Sequence, residues 1–198
     1  MAERTAPDRT IKLSDPRALR AVAHPTRLAL IGLLRREGPL TATRAGELIG
    51  ESAASCSFHL RQLAKYGLVE EAGGGRGRER PWRATAMFTE WPTTAADPEA
   101  DAATELLSAV VAERYFEGLM AWLGRRRDEP AEWREAVQFG DRILYLTVDE
   151  LAELGRRTSE LAEPYIERTA NPDARPAGAR AVTIVHLSYP IEAEEGGS

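Results

Sequence analysis

Along the N-terminal part of the chain, apolar residues recur at three- and four-residue spacing in successive bursts, each bounded by its own start and stop signals. The first ten residues are polar, contain Pro7 and read as a disordered tail. Ser14 or Asp15 can then cap a first helix that has Pro16 at its first position and Leu19 and Ala23 on its apolar side. A second helix opens at Pro25 and carries Leu28, Leu30, Ile31, Leu33 and Leu34, a stripe broad enough to need burial on more than one side. Gly38 and Pro39 stop it. Thr41 is the N-cap of a third helix, with Ala45, Leu48 and Ile49 inward and Gly50 at its end. Ser52 caps a fourth, in which Cys56, Leu60 and Leu63 mark the buried face up to Gly67.

The period then changes. LVEEA and PWRATA read as two short strands, and the GGGRGRER between them makes a flexible cationic hairpin. After a Pro, Thr and Ala linker near Trp91 to Pro98, a long helix from about Glu99 to Arg127 carries Leu106, Leu107, Val110, Val111, Leu119, Trp122 and Leu123, a stripe wider than a single seam. Pro130 begins a helical turn through Trp133 and Val137, and RILYLT reads as a strand. Thr147 caps a helix in which Leu151, Leu154, Thr158, Leu161 and Tyr165 follow alternating three- and four-residue steps. The loop NPDARPAGAR leads to a last strand, AVTIVHLSYP, and no internal repeat is present.

Composition adds limits. A chain of 198 residues with 43% hydrophobic residues can bury a sizeable core. It has no apolar run long enough for a membrane span and no secretory pattern at its start, so the expectation is a cytoplasmic protein with no membrane partner. Cys56 is the single cysteine, which excludes an intrachain disulfide framework and a multi-thiolate metal site within one chain. No cofactor is expected.

The net charge of −5 hides a segregation. Residues 1–90 carry 15 basic and 10 acidic side chains, and residues 91–198 carry 11 and 21. A polyanion partner for the N-terminal half accounts for this, although unrelated solvated faces account for it equally well. The fourth helix decides between them. Opposite its apolar face lie Ser55, Ser57, Phe58, Arg61, Gln62 and Lys65, with no carboxylate between Ser52 and Gly67, where a merely solvated helix usually mixes signs. A helix fits the major groove of duplex DNA, and Ser, Gln and Arg there reach base edges and phosphates. Arg76, Arg78 and Arg80 of the hairpin suit phosphates or a narrow minor groove.

At AHPTRLALIGLL and SCSFHLRQLAKYGLVEE, residues Arg17 to about Thr85 resemble the winged helix-turn-helix domain of ArsR/SmtB-like bacterial transcriptional regulators. The resemblance implies a homodimer on an inverted-repeat operator in double-stranded DNA, as a repressor released by an effector. It also implies that Ser55, Ser57, Phe58 and Arg61 face the groove, with His59 at its margin. Small members of that family hold metals through cysteine pairs in the helix before the recognition helix, or through His and Asp or Glu on the last helix. Here TATRAGELIG has neither Cys nor His, so no metal site is expected, and His24, His59 and His186 read as packing or surface residues.

Blander readings stand beside these. Cys56 reads as a small buried hydrophobe rather than a redox switch. Phe58 either touches a thymine methyl or packs at the core margin. Tyr115, Phe116, Trp91, Trp122 and Trp133 either line an apolar pocket for a small-molecule effector or are ordinary core. Glu150, Glu153, Glu160 and Glu163 lie at solvent-face spacings with no nucleophile, base or phosphate loop near them, so no enzyme is expected. The alternative to a regulator is a winged-helix protein-interaction module. The expected architecture is mainly α with small β. A disordered tail at 1–10 precedes a winged helix-turn-helix DNA-binding domain at 11–90, and 91–198 forms a dimerisation and candidate effector-binding region with a long helix and a small α+β part. The expected DNA-contacting set is Ser52, Ser55, Ser57, Phe58, His59, Arg61, Gln62, Lys65, Arg76, Arg78 and Arg80.

Overall fold

The computed structural model describes residues 8–75 and 80–191. Its N-terminal helices start where short polar side chains meet free backbone N–H groups. The Asp15 carboxylate accepts from Arg17 N at 3.0 Å to open α1, Pro16–Val22. The hydroxyls of Thr41 and Ser52 do the same for α3, Ala42–Ile49, and α4, Ala53–Lys65, at 3.2 and 3.1 Å. Helix α2, Pro25–Glu37, is capped by an imidazole: His24 Nδ1 accepts from Thr26 N at 3.2 Å.

Three short strands close this unit as an antiparallel sheet in the order β2-β4-β3: β2, Leu40–Thr41; β3, Val69–Glu71; and β4, Pro81–Ala84. The register sets Leu40 against Trp82 and Val69 against Ala84. A separate parallel pair joins β1, Asp8–Lys12, to β5, Ala86–Glu90. Thus residues 8–10, expected in a disordered tail, belong to a strand; residues 1–7 lie outside the described residues. The parallel pairing of β1 with β5 joins segments far apart in sequence, which a local period does not reveal.

Leu19, Val22, Leu30, Cys56, Leu60, Leu63 and Val69 are fully buried in one cluster. Helix α5, Pro98–Arg125, enters that cluster through Ala103 and Leu107. Arg35 ties α2 to β5, donating from Nε to the Ala86 carbonyl at 2.9 Å and from Nη2 to Thr89 Oγ1 at 2.7 Å. Burial pushes its pKa down to about 10, which leaves it charged at neutral pH. Among the described residues no helix is long and apolar enough to cross a membrane.

Several expectations need correction. Leu48 is 45% exposed rather than inward. The inward face of α3 is set by Ala42, Ala45, Gly46 and Ile49, and Leu48 lies roughly 110° round the helix from its centre. The stripe on α5 buries Leu107 alone; Val110, Val111, Leu119, Trp122 and Leu123 are half-buried and Leu106 is exposed. Helix α6 spans Ala131–Ala136 and α7 spans Val148–Ala170, opened by a Thr147–Glu150 capping box. On α7, Leu154, Leu161 and Tyr165 are exposed. RILYLT and AVTIVHLSYP form no strand, because neither finds a neighbouring strand to supply backbone partners among the described residues.

The turn between α3 and α4 has a specific steric requirement. Glu51 N donates to the Gly46 carbonyl at 3.0 Å, and a Cβ on Gly46 would lie 2.5 Å from the Glu51 carbonyl oxygen. Backbone, not a flexible side chain, must move to admit it. We expect Gly46→Ala to cost about 1–3 kcal/mol in urea unfolding. Gly32→Ala, where the added Cβ meets only the Arg114 guanidinium end at 3.3 Å, serves as control and should keep stability near or above wild type. Equal stability of both variants would show that the turn yields without cost.

Candidate nucleic-acid interface

Burial of Cys56, Leu60 and Leu63 fixes how α4 is rolled, and the rest of its surface follows from the 100° step. Phe58, 51% exposed, lies on the outer face with Arg61 and Lys65, while Ser55, Ser57 and Gln62 are half-buried along its flanks. At the N-terminal end Ser52, Ala53 and Ala54 are exposed, and the first turn holds no acidic residue. Ala53 and Ala54 were not singled out from sequence. Their small size is the signal, since it leaves the positive end of the helix open to close approach by an anion.

The cations differ in commitment. Arg61 has no ion-pair partner among the described residues. Lys65 places its ammonium 5.7 Å from the Tyr66 ring centroid and borders an open cleft with Lys12, Asp15 and Tyr66. On the hairpin, Arg80 pairs with Glu71 at 2.8 Å and Arg83 with Glu70 at 2.7 Å. Arg83 was also missed in sequence, where it reads as a strand residue. Arg76 and Arg78 lie outside the described residues. The Arg80–Glu71 pair is exposed on both sides and so is weak enough to be exchanged for another anion.

His59 lies at the edge of the helix, half-buried. Its ring lies 4.6 Å from that of His24 and 5.2 Å from Phe58, with Nδ1 buried and without a hydrogen-bond partner. The side chain therefore turns toward the start of α2 and not to the outer face. The cause is the three-residue step from Cys56, which puts position 59 about 60° round the helix from it, at the edge of the buried face. Arg27 Nε is likewise buried without a partner. Burial holds the His24 pKa below the usual imidazole value, with Arg27 adding to it and Glu51 opposing. Burial also lowers His59, with His24 and Arg27 adding and Glu51 opposing.

Trp91 donates from Nε1 to Ser108 Oγ at 3.0 Å, Trp133 lies 4.7 Å under the Arg180 guanidinium, and Tyr115 and Phe116 are exposed. Glu150 completes the α7 capping box, and Glu153 and Glu160 both pair with Arg156. These carboxylates are occupied in holding a helix.

Residues 22–72 match a family of helix-turn-helix domains. The match runs through α2, α3, α4 and β3, so the elements that position the α4 face form a helix-turn-helix domain, here extended by the β3–β4 hairpin. No curated protein matches the chain. A similar solved structure is a MarR-family protein of Mycobacterium tuberculosis in complex with salicylic acid. It is 15% identical over 75% of this chain and 87% of that one, with a TM-score of 0.29, a likeness too slight to bear on function.

The His24–His59 contact makes a prediction about acid. His24 Nδ1 accepts a backbone hydrogen bond and so must be unprotonated to cap α2. Because both imidazoles titrate below their unfolded value, the unfolded chain takes up protons first as pH falls. Stability is then full above about pH 6.5 and is lost below it. Melting temperature should fall between pH 7.5 and about pH 5. His24→Asn, which keeps a capping acceptor and does not titrate, should flatten that fall. Parallel losses in both proteins would assign the acid sensitivity elsewhere.

Proposed function

We propose that the chain is a sequence-specific DNA-binding transcriptional regulator, an ArsR/SmtB-like homodimeric repressor that answers a small-molecule effector rather than a metal. The observation that carries the DNA part is the outer face of α4. It offers hydroxyls, Gln62, Lys65 and an Arg61 without an ion-pair partner among the described residues, with no carboxylate, on the helix that follows the turn of a helix-turn-helix domain. In this reading α4 lies in the major groove, where Ser57, Phe58 and Arg61 read bases, and the wing arginines contact phosphates. Ser52 and Ser55 serve at the helix start, where Ser52 Oγ can still donate while it caps.

A protein-interaction module is the second reading, favoured by the glutamates that neutralise Arg80 and Arg83 on the wing strands. Salt separates the two. Duplex selected by the protein from a random-sequence pool should bind with an affinity that falls steeply with salt. Arg61→Ala should weaken that binding, and Ser57→Ala or Phe58→Ala should relax preference at single base pairs by about 1–3 kcal/mol. Replacing Arg76, Arg78 and Arg80 together should flatten the salt slope without changing sequence preference. Fluorescence anisotropy reads all of these, and absence of duplex binding at low salt would sink the regulator.

A further inference from the structure

The C-terminal half leaves its apolar residues unspent. Helix α5 is 28 residues long, yet beyond Val111 it presents Tyr115, Phe116 and Met120 to solvent at 42%, 63% and 50%. The segment 142–147 exposes Ile143, Leu144 and Tyr145, the last at 98%. The segment 181–190 exposes Val182, Ile184, Leu187 and Tyr189, with Ile184 at 83%. Both are rich in residues that favour strands, and both keep their backbones out of any ladder.

The area exposed is far beyond that of a finished monomer. A folded chain of 21.8 kDa exposes about 9,200 Å², whereas this one exposes 14941 Å². The excess is roughly seven times the 800 Å² that one partner gives up in a standard interface. It exceeds even the roughly 1,000–2,500 Å² that each partner gives up in an obligate interface, so one interface with a second copy accounts for part of it.

We propose that a second copy of this chain completes the C-terminal half: residues 142–147 of each protomer pair with residues 181–190 of the other, beside α5 helices packed along their exposed ends. Strand number selects this occupant. One chain brings two strand-forming segments, which as an isolated pair are marginal, and two copies bring four, enough for a stable sheet once the two exchanged pairs adjoin at the two-fold axis. Charge agrees. RILYLT holds one charged residue, Arg142, AVTIVHLSYP holds no Asp, Glu, Lys or Arg, and Tyr115–Leu123 holds only Glu117, so a two-fold copy brings few like charges together. The inference deepens the homodimer of the regulator reading and does not depend on its DNA part.

The test uses the full chain and two substitutions, Tyr145→Lys and Ile184→Lys, at side chains that are nearly free in the single chain. In a monomer these changes cost nothing. In the proposed dimer they bury unpaired charges and should raise the dimer dissociation constant at least about 100-fold, with the helix signal in circular dichroism retained. Sedimentation should show a wild-type dimer at micromolar concentration, and hydrogen exchange should show protection at both segments that is lost on dilution to monomer. A wild-type monomer, protection that survives in the monomer, or charged variants that dimerise like wild type would each overturn the proposal. A dimer with protected segments that binds no duplex would uphold it while removing the DNA reading.

Discussion

The packing of Cys56, Leu60 and Leu63 into the cluster around Leu19, Leu30 and Val69 sets the angle at which α4 is rolled, and a helix has no other freedom about its axis. Once those three side chains are inside, Phe58 and Arg61 must be outside and His59 must lie at the edge against α2. The composition of the outer face is chemistry, but its direction is a consequence of burial. The turn before α4 is held by the same logic at shorter range: Gly46 is buried against the Glu51 carbonyl, so the angle between α3 and α4 is fixed by a contact with no room for a methyl group.

This explains which parts were legible in the sequence. The starts of α1, α3 and α4 could be read because a cap is a contact between neighbours in the chain, and the buried face of α4 could be read because its period repeats. The His24–His59 contact and the β1–β5 ladder join residues distant in sequence, and nothing local announces them. Leu48 was misread because α3 spans only two turns, too few for its period to fix a centre, and the small Ala45 and Gly46 define that centre better than the larger leucine. RILYLT and AVTIVHLSYP carry a strand's residues without a strand's neighbours, and a ladder is a property of two segments, not one. Of the candidate interface, the side chains on α4 were legible and their commitments were not. That Arg80 and Arg83 are held by glutamates depends on the register of β3 and β4, whereas Arg61 on α4 has no ion-pair partner among the described residues.

Electrostatics follows a similar division between buried and exposed. Arg35 is mostly withdrawn from water and spends its donors on Ala86 and Thr89 of β5, so it fastens the sheet pair to α2 and is unavailable to a ligand. Exposed pairs such as Arg80–Glu71 and Arg44–Glu47 contribute little to stability and rearrange easily. The cations able to meet an anion are therefore those held loosely, even though the tightly held one has the better-defined geometry.

The same core also determines how the two halves of the chain can influence each other. Helix α1 packs on both α4 and α5, and its Leu19 and Val22 are buried in the cluster that contains Leu60, Leu63 and Leu107. The Arg20–Glu99 ion pair that also links α1 to α5 is exposed, so the relative setting of these helices rests on apolar contact. Close-packed side chains do not transmit a graded push; they hold one arrangement or move to another. Helix α2 also touches both α4 and α5, so the outer face of α4 and the start of α5 rest on one shared core.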